Sequence, residues 1–420
     1  MLQIMRFGAV LLISVFLARL ISRELVGLYE TLLLLGSSFT YFWVTGFINP
    51  FIPYYHRSTQ EEAKWLIFNM FLLLTFCSSV IFILLISGVA ILKPQNGDLY
   101  LLYFAANLFI APSFLSEYIL MVNNRPKSIL VYGLFSNLLQ AGAVIIPLYF
   151  DTSLHLSLWL LLIYSLLRYG FLLSLVIKYS ILRIDKKQIT SFLQSSFPYL
   201  LSLLVGGSMA YMDSYIIKFF YPNADFAVFR YGAREFAITV LMAAAFSNVK
   251  SGEVALGAKQ NNLTVSLRDI RKGSERLMHF LFPVTIIFMV FSGFLFEKFY
   301  SVSFVYSAFI FNIYLLLTVS RLLFPQTALI GLQRNKTMLR LSIYEWCLNL
   351  IFDIVFLKLW GMAGVAFATV LAYYFEKVFL FYYCRREGIK FSDLVPVKTW
   401  VGYTILTLVV FCLVALFGTN

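Results

Sequence analysis

Residues 66–92 read LIFNMFLLLTFCSSVIFILLISGVAIL, without one Asp, Glu, Lys or Arg. A helix needs about 20 mostly apolar residues to cross the hydrocarbon core of a bilayer, so this stretch is long enough to span it. The same reading, carried outward along the chain, predicts spans at 4–22, 31–53, 66–92, 99–121, 130–150, 156–177, 197–219, 228–249, 277–296, 304–324, 338–358, 363–383 and 399–418. Composition agrees. Hydrophobic residues are 61% of the 420 and charged residues only 13%, where a soluble domain carries roughly a quarter charged. Mean hydropathy is +0.84. So much apolar surface cannot be hidden behind so few polar residues, and lipid is the expected solvent. Disorder is excluded by the same figures. The 44 Phe, 26 Tyr and 6 Trp suit long helices with aromatic belts at the interfaces. The fold class expected is therefore all-α, a polytopic integral membrane helix bundle.

The longest connection runs from Lys250 to Arg276, too short to be a domain. Any function must lie within the bundle, which counts against polymerases, ligases and glycosyltransferases that carry large loops. Cys77, Cys347, Cys384 and Cys412 lie in or beside apolar stretches without metal spacing, and His56, His155 and His279 are scattered. No catalytic group, metal site or cofactor is expected from them. The first span lacks a small-residue cleavage site and reads as a retained helix.

Connections alternate between basic and nearly neutral. The set 54–65, 122–129, 178–196, 250–276, 331–340 and 384–398 holds 21 basic and 8 acidic residues, a surplus equal to the whole net charge of +13. By the positive-inside rule this set and the N-terminus face the cytoplasm. The surplus is thus a topology signal, and no nucleic-acid partner is needed to explain it.

The chain also reads as duplicated. Arg125-Pro126-Lys127-Ser128 opens the fifth span, and Arg334-Asn335-Lys336-Thr337 opens the eleventh, 209 residues later. Two six-helix lobes in the same orientation would be related by an axis along the membrane normal. The expected division is an N-terminal lobe at 1–177, a cytoplasmic linker at 178–196, a C-terminal lobe at 197–384, and a cytoplasmic segment with one extra span at 385–420. The linker is expected to lie on the membrane surface as an amphipathic segment.

Ionisable groups at membrane depth are costly and ask for a partner or a watery cavity. Asp213 and Arg234 fall at one level on neighbouring spans and are expected to pair. Arg230 and Arg234 are four apart, as on one helix face, and Glu235 could help to neutralise them. Arg168 lies near the middle of span six, between Tyr164 and Tyr169. Arg321 in span ten has Glu345 in span eleven at similar depth. Glu376 and Lys377 are adjacent and expected to point apart. Each residue alone could be a buried pair that only fixes packing. As a set, arginines at both halves suit phosphate oxygens. Pro112, Pro147, Pro198, Pro283 and Gly206-Gly207 mark weak points in their helices, either packing features or hinges.

Several stretches together resemble a family. They are Leu17-Ala18-Arg19-Leu20-Ile21, Val26-Gly27-Leu28-Tyr29-Glu30, Pro198-Tyr199-Leu200 through Asp213, Ala227 to Ala233, and Gly331 to Asn335. The most specific is Gly361-Met-Ala-Gly364-Val-Ala-Phe-Ala368-Thr369. The chain is similar to the O-antigen (Wzx-type) polysaccharide flippases of the multidrug/oligosaccharidyl-lipid/polysaccharide exporter superfamily, over residues 5 to 395. The resemblance implies two six-helix lobes around a central cavity that rocks between inward-open and outward-open states. It implies that a polyprenyl-pyrophosphate-linked oligosaccharide repeat unit crosses the bacterial inner membrane, for O-antigen, capsule or exopolysaccharide (lipopolysaccharide) synthesis. Arg19, Arg168, Arg230, Arg234 and Arg321 would receive the anionic head, with Asp213, Glu235 and Glu345 balancing charge or coupling an ion. Membrane lipid, a polysaccharide polymerase and a chain-length regulator would be the partners. The alternative in the same superfamily is a cation-coupled drug antiporter, which should carry an acid in an early helix. Spans one and two as drawn contain none. A membrane enzyme of polysaccharide assembly is disfavoured by the absence of grouped catalytic residues.

Overall fold

The computed structural model describes residues 2–260 and 262–417. Asn261, in the expected connection 250–276, and the last residue of the stretch 399–418 lie outside them. Every regular element among the described residues is helical. In order they are α1 (Leu2–Leu20), α2 (Arg23–Arg57), α3 (Gln60–Leu92), α4 (Gly97–Ser113), α5 (Leu115–Val122), α6 (Pro126–Ile145), α7 (Leu154–Tyr179) and α8 (Lys186–Phe220). There follow α9 (Asn223–Gly232), α10 (Ala237–Lys259), α11 (Leu263–Phe299), α12 (Val305–Leu315), α13 (Leu317–Arg321), α14 (Pro325–Gly331), α15 (Asn335–Arg386), α16 (Phe391–Leu394) and α17 (Val397–Phe417). Nine helices among the described residues are long and apolar enough to cross a membrane, or ten if the bent α8 is one span.

Helix ends follow local chemistry. At α2, Ser22 accepts a hydrogen bond from the Leu25 amide. Thr59 and Glu62 form a reciprocal capping box at α3, which satisfies two of the amides a helix start leaves open. Pro112 ends α4, and the chain resumes as α5 after Phe114. Pro147 tightens the end of α6 into a 3-10 turn at 146–149. Helix α8 bends by 49° between Lys186–Leu201 and Gly206–Phe220, where the sequence marks Gly206-Gly207 as weak. Residues 186–196, expected as part of a surface linker, form the first turns of this same helix.

The chain forms two compact units, Met1–Tyr211 and Met212–Asn420. In the first, α4 packs against α3 and α7, and α1 lies along α6. In the second, α12 packs against α9, α11 and α15, and α17 lies along α11. The stacked rings of Phe282 and Tyr403, 5.0 Å apart, mark that last contact. Only Thr407 of α17 is buried, and Leu413, Leu416 and Phe417 are exposed. Exposed apolar side chains at this density need a lipid solvent.

One local backbone feature recurs at the spacing of the expected repeat. Asn124 and Gln333, 209 residues apart, both have positive φ, 51° and 61°. The Arg125 amide bonds to the Leu120 carbonyl at 3.0 Å, and the Arg334 amide to the Leu329 carbonyl at 2.9 Å. These are the same left-handed turn, closing α5 in one unit and α14 in the other.

Spans eleven and twelve are two legs of α15, which is interrupted at Trp360 and Gly361. Ring contacts Phe352–Phe375 and Trp360–Phe367 show the legs folded back on each other. Gly361 has φ +60°, and a Cβ on Gly364 would stand 2.0 Å from the Phe356 carbonyl oxygen. Backbone cannot move aside as a side chain can, so Gly364→Val should cost at least the ~1–3 kcal/mol of ordinary overpacking. Gly402→Val, in open space, should be neutral. The yield of monodisperse protein in detergent compares them, and equal yields would remove the role given to Gly364.

Candidate ion and headgroup site

In the first unit, the break between α4 and α5 aims Phe114 and Glu117 into the packed helices. Arg6 and Arg168 lie on Phe114, each with its guanidinium carbon 4.8 Å from the ring centroid. Glu117, 7% exposed, bonds to Arg6 at 2.5 Å and approaches Arg168 at 3.9 Å. Arg168 also donates to the Tyr132 hydroxyl at 3.1 Å and the Tyr164 hydroxyl at 3.3 Å. Tyr164 is the expected neighbour, whereas Tyr169 turns to Thr75. A concavity of about 230 Å³ beside Arg6 is lined by Thr40, Thr45, Asn49 and Tyr118. Arg19 stands exposed in the last turn of α1. Sequence reasoning missed Arg6 and Glu117, although Glu117 is a lone acid inside an apolar stretch.

In the second unit, three helical segments converge on Asp213 of α8, 8% exposed. Tyr314 of α12 donates to Oδ2 at 2.6 Å, and Thr369 on the second leg of α15 donates to the same oxygen at 2.5 Å. Asn349 on the first leg bridges two acids, donating to Asp213 Oδ1 at 3.2 Å and to Asp353 Oδ2 at 3.3 Å. Asn349 and Asp353 are one turn apart, so one helix face presents both. Asp353 is fully buried. Its Oδ1 and the Oδ1 of Asn349 are buried without a hydrogen-bond partner among the described residues. Two carboxylates and two open oxygens without a positive side chain among these partners suit a proton or a small monovalent cation, which oxygen ligands bind. Among the described residues there is no group of three or more His, Cys, Asp or Glu that could hold a metal ion. The expected partner of Asp213, Arg234, is replaced by these neutral donors.

Several expected pairings are corrected by the helix breaks. Helix α9 ends at Gly232, which packs against Ser307 and Ile310 of α12. Arg234 and Glu235 then sit in the non-helical stretch 233–236. Arg230 and Arg234 therefore do not share a helix face. Arg230 donates to the Ser214 hydroxyl at 3.0 Å, and Arg234 lies 4.9 Å from the Tyr231 ring centroid. The break turns Glu235 to Arg321, which it meets at 2.6 Å, with Tyr373 adding a hydroxyl at 2.8 Å. Glu345 is not the partner of Arg321. It is 9% exposed, without an ion pair or hydrogen bond among the described residues. Glu376 and Lys377 pair at 2.7 Å rather than pointing apart. One more correction concerns acids: α2 starts at Arg23 and takes in Glu30, 2% exposed. An early helix thus does carry a buried acid.

The Glu235–Arg321 pair carries its own prediction. Each single change to Ala should lower the folded fraction, because the partner keeps a charge at membrane depth. The double change should recover most of it. A double variant no better than the worse single one would show that the two residues act separately.

No family model matches the chain, and no curated protein matches it either. Solved structures do. A lipid II flippase, MurJ, in an inward closed conformation, superposes with a TM-score of 0.71 at 18% identity, covering 100% of this chain and 93% of its own. An inward-facing multidrug resistance MATE family transporter of the MOP superfamily gives 0.64 at 14%, covering 93% and 95%. A point mutant of the Vibrio cholerae MATE transporter VcmN gives 0.55 at 15%, covering 91% and 95%. The chain therefore has the all-helical membrane fold shared by this flippase and these transporters.

Proposed function

We propose that the chain is a flippase that moves a polyprenyl-pyrophosphate-linked oligosaccharide repeat unit across the bacterial cytoplasmic membrane by alternating access. The observation that carries this reading is the set of arginines, Arg6, Arg19, Arg168, Arg230, Arg234 and Arg321, kept within a helical bundle that has no loop domain. All of these but the exposed Arg19 are buried or half-buried; such guanidinium groups are expensive in lipid, and pyrophosphate oxygens are the ligand their fork fits. The likeness over the whole chain to a lipid II flippase supports a lipid-linked substrate. O-antigen, capsule or exopolysaccharide synthesis is the setting, with a polymerase and a chain-length regulator as partners. The pyrophosphate head needs a basic, hydrated path, because burying its charge in hydrocarbon costs many kcal/mol. The tail can stay in the bilayer.

The acid cluster at Asp213 supports coupling to a proton or a monovalent cation. A cation-coupled drug antiporter remains the second reading, and buried Glu30 in α2 favours it. The two separate in proteoliposomes. A flippase should make a fluorescent lipid-linked oligosaccharide accessible to a glycan-cleaving enzyme on the far side, and should leave ethidium where it is. Ethidium transport without glycan movement would overturn the flippase reading.

Topology gives a further test. Reporter fusions at residues 60, 185, 262 and 388 should all report cytoplasm. A periplasmic signal at 262 would invert the second unit and remove the parallel repeat.

A further inference from the structure

We propose that the outer face of α6 and α7 is a binding groove for one anionic phospholipid, taken from the leaflet in which Lys127 and Lys178 emerge. The groove has a volume of about 640 Å³. Its walls are apolar and outward-facing: Val131, Phe135, Leu167 and Phe171 all line it and are exposed. Its floor is firm, because Tyr132 stacks on Phe171 at 4.8 Å and is held from behind by Arg168.

One end of the groove is charged. Helix α6 begins at Pro126 and α7 ends at Tyr179, so Lys127 and Lys178 stand at the same end of an antiparallel pair. Ser128 lies beside them in the lining. A second concavity of about 620 Å³ continues from that end. It shares Lys178 and Tyr179 with the groove and adds His56 and Lys64, on a more polar lining. An apolar channel that opens at two lysines into a basic, polar recess matches an acyl chain joined to a phosphate head.

Length selects the occupant. From Lys127 to Leu139 the helix rises about 18 Å. That is close to one leaflet of a hydrocarbon core about 30 Å thick. An acyl chain fits this depth, whereas a long polyprenyl tail would overrun it. A lysine near a membrane surface attracts anionic lipid by an amount that two together make plainly measurable. Of the arginines given to the substrate head, only Arg168 lines the groove. Arg168 serves here only as a wall, its guanidinium held by Tyr132, Tyr164 and Glu117.

The full chain, purified in detergent with equimolar phosphatidylglycerol and phosphatidylcholine, is read by native mass spectrometry. Wild type should retain phosphatidylglycerol preferentially. The double variant K127Q/K178Q should lose that preference by about tenfold, and K127R/K178R should keep it. Leu167→Trp, which fills the groove from a lipid-facing position, should lower retention of both lipids. Only the monodisperse fraction of each variant is compared, so a folding defect does not mimic loss of lipid. Equal retention of the two lipids by wild type, or an unchanged preference in K127Q/K178Q, would overturn the proposal. So would displacement by equimolar undecaprenyl phosphate, which would give the groove to a substrate tail. Displacement by soluble glycerol phosphate would reduce it to a phosphate site without a chain.

Discussion

Asp213→Asn should bring transport to background while the protein stays in the membrane at its usual level. The change keeps the size of the side chain, and its amide oxygen can still accept from Tyr314 and Thr369, both now bonded to Oδ2. The new amide nitrogen faces Asn349 Nδ2, a donor, and a flip of the Asn349 amide relieves that clash. The flip gives up the Asn349 bond to Asp353, but the side-chain volume is unchanged and the negative charge of Asp213 is removed. If the cluster couples transport to a cation, wild type should gain thermal stability as Na⁺ is added or as protons bind. A ligand at a hundred times its dissociation constant stabilises by about 2.7 kcal/mol, and the variant should show none of this. Asp353→Asn should act in the same direction, since Asn349 joins the two acids. Glu345→Gln, outside the cluster, should leave the cation response intact. Normal transport by Asp213→Asn with an unchanged cation response would leave Asp213 a purely structural acid.

The helices were legible because most charges gather where the chain leaves the membrane and only scattered ones fall within the apolar runs. Even the turn between the legs of α15 is written in Gly361 and Gly364. The same motif ends at Thr369, which reaches Asp213, so its sequence specificity coincides with a contact of the acid cluster. The gap at 233–236 was not legible. Ala233, Arg234 and Glu235 have ordinary helix propensity, and the helix stops because Gly232 lies so close to α12 that the backbone must turn away. Once that break is missed, Glu235 is aimed at the wrong arginine. Partners were the least legible feature for a related reason. Glu235 and Arg321 are 86 residues apart and Arg6 and Glu117 are 111 apart. Depth along a span can be counted from its ends, but rotation about the helix axis and the choice of neighbour depend on packing. Depth alone gave Glu345 to Arg321 and Asp213 to Arg234; Arg321 instead pairs with Glu235, and Asp213 is held by Tyr314, Asn349 and Thr369.

Glu117→Ala should be among the most destabilising single changes in the first unit. Among the described residues Glu117 is the one acid that meets both Arg6 and Arg168, and the two arginines lie on the same ring, Phe114. The side chain of Arg168 is 6% exposed and that of Arg6 35%. Without the carboxylate, Arg6 can turn toward solvent in its concavity, whereas Arg168 keeps a buried charge beside the Tyr132 and Tyr164 hydroxyls and the Phe114 ring, with no acid to balance it among the described residues. Stranding one member of a buried pair costs about 3–5 kcal/mol, enough to unfold a marginal protein. The asymmetry in exposure sets the order of the rescue variants. E117A/R168M should recover most of the monodisperse yield, because it removes the stranded charge and keeps the volume. E117A/R6Q should recover little, because Arg168 remains. Arg6→Gln alone should fold well, since Glu117 retains Arg168. Its effect on flipping then reads the headgroup role of Arg6 apart from stability. An E117A variant as stable as wild type would sink this account. It would mean that the tyrosine hydroxyls and the Phe114 ring suffice for Arg168, and that the carboxylate is held there for transport rather than for the fold.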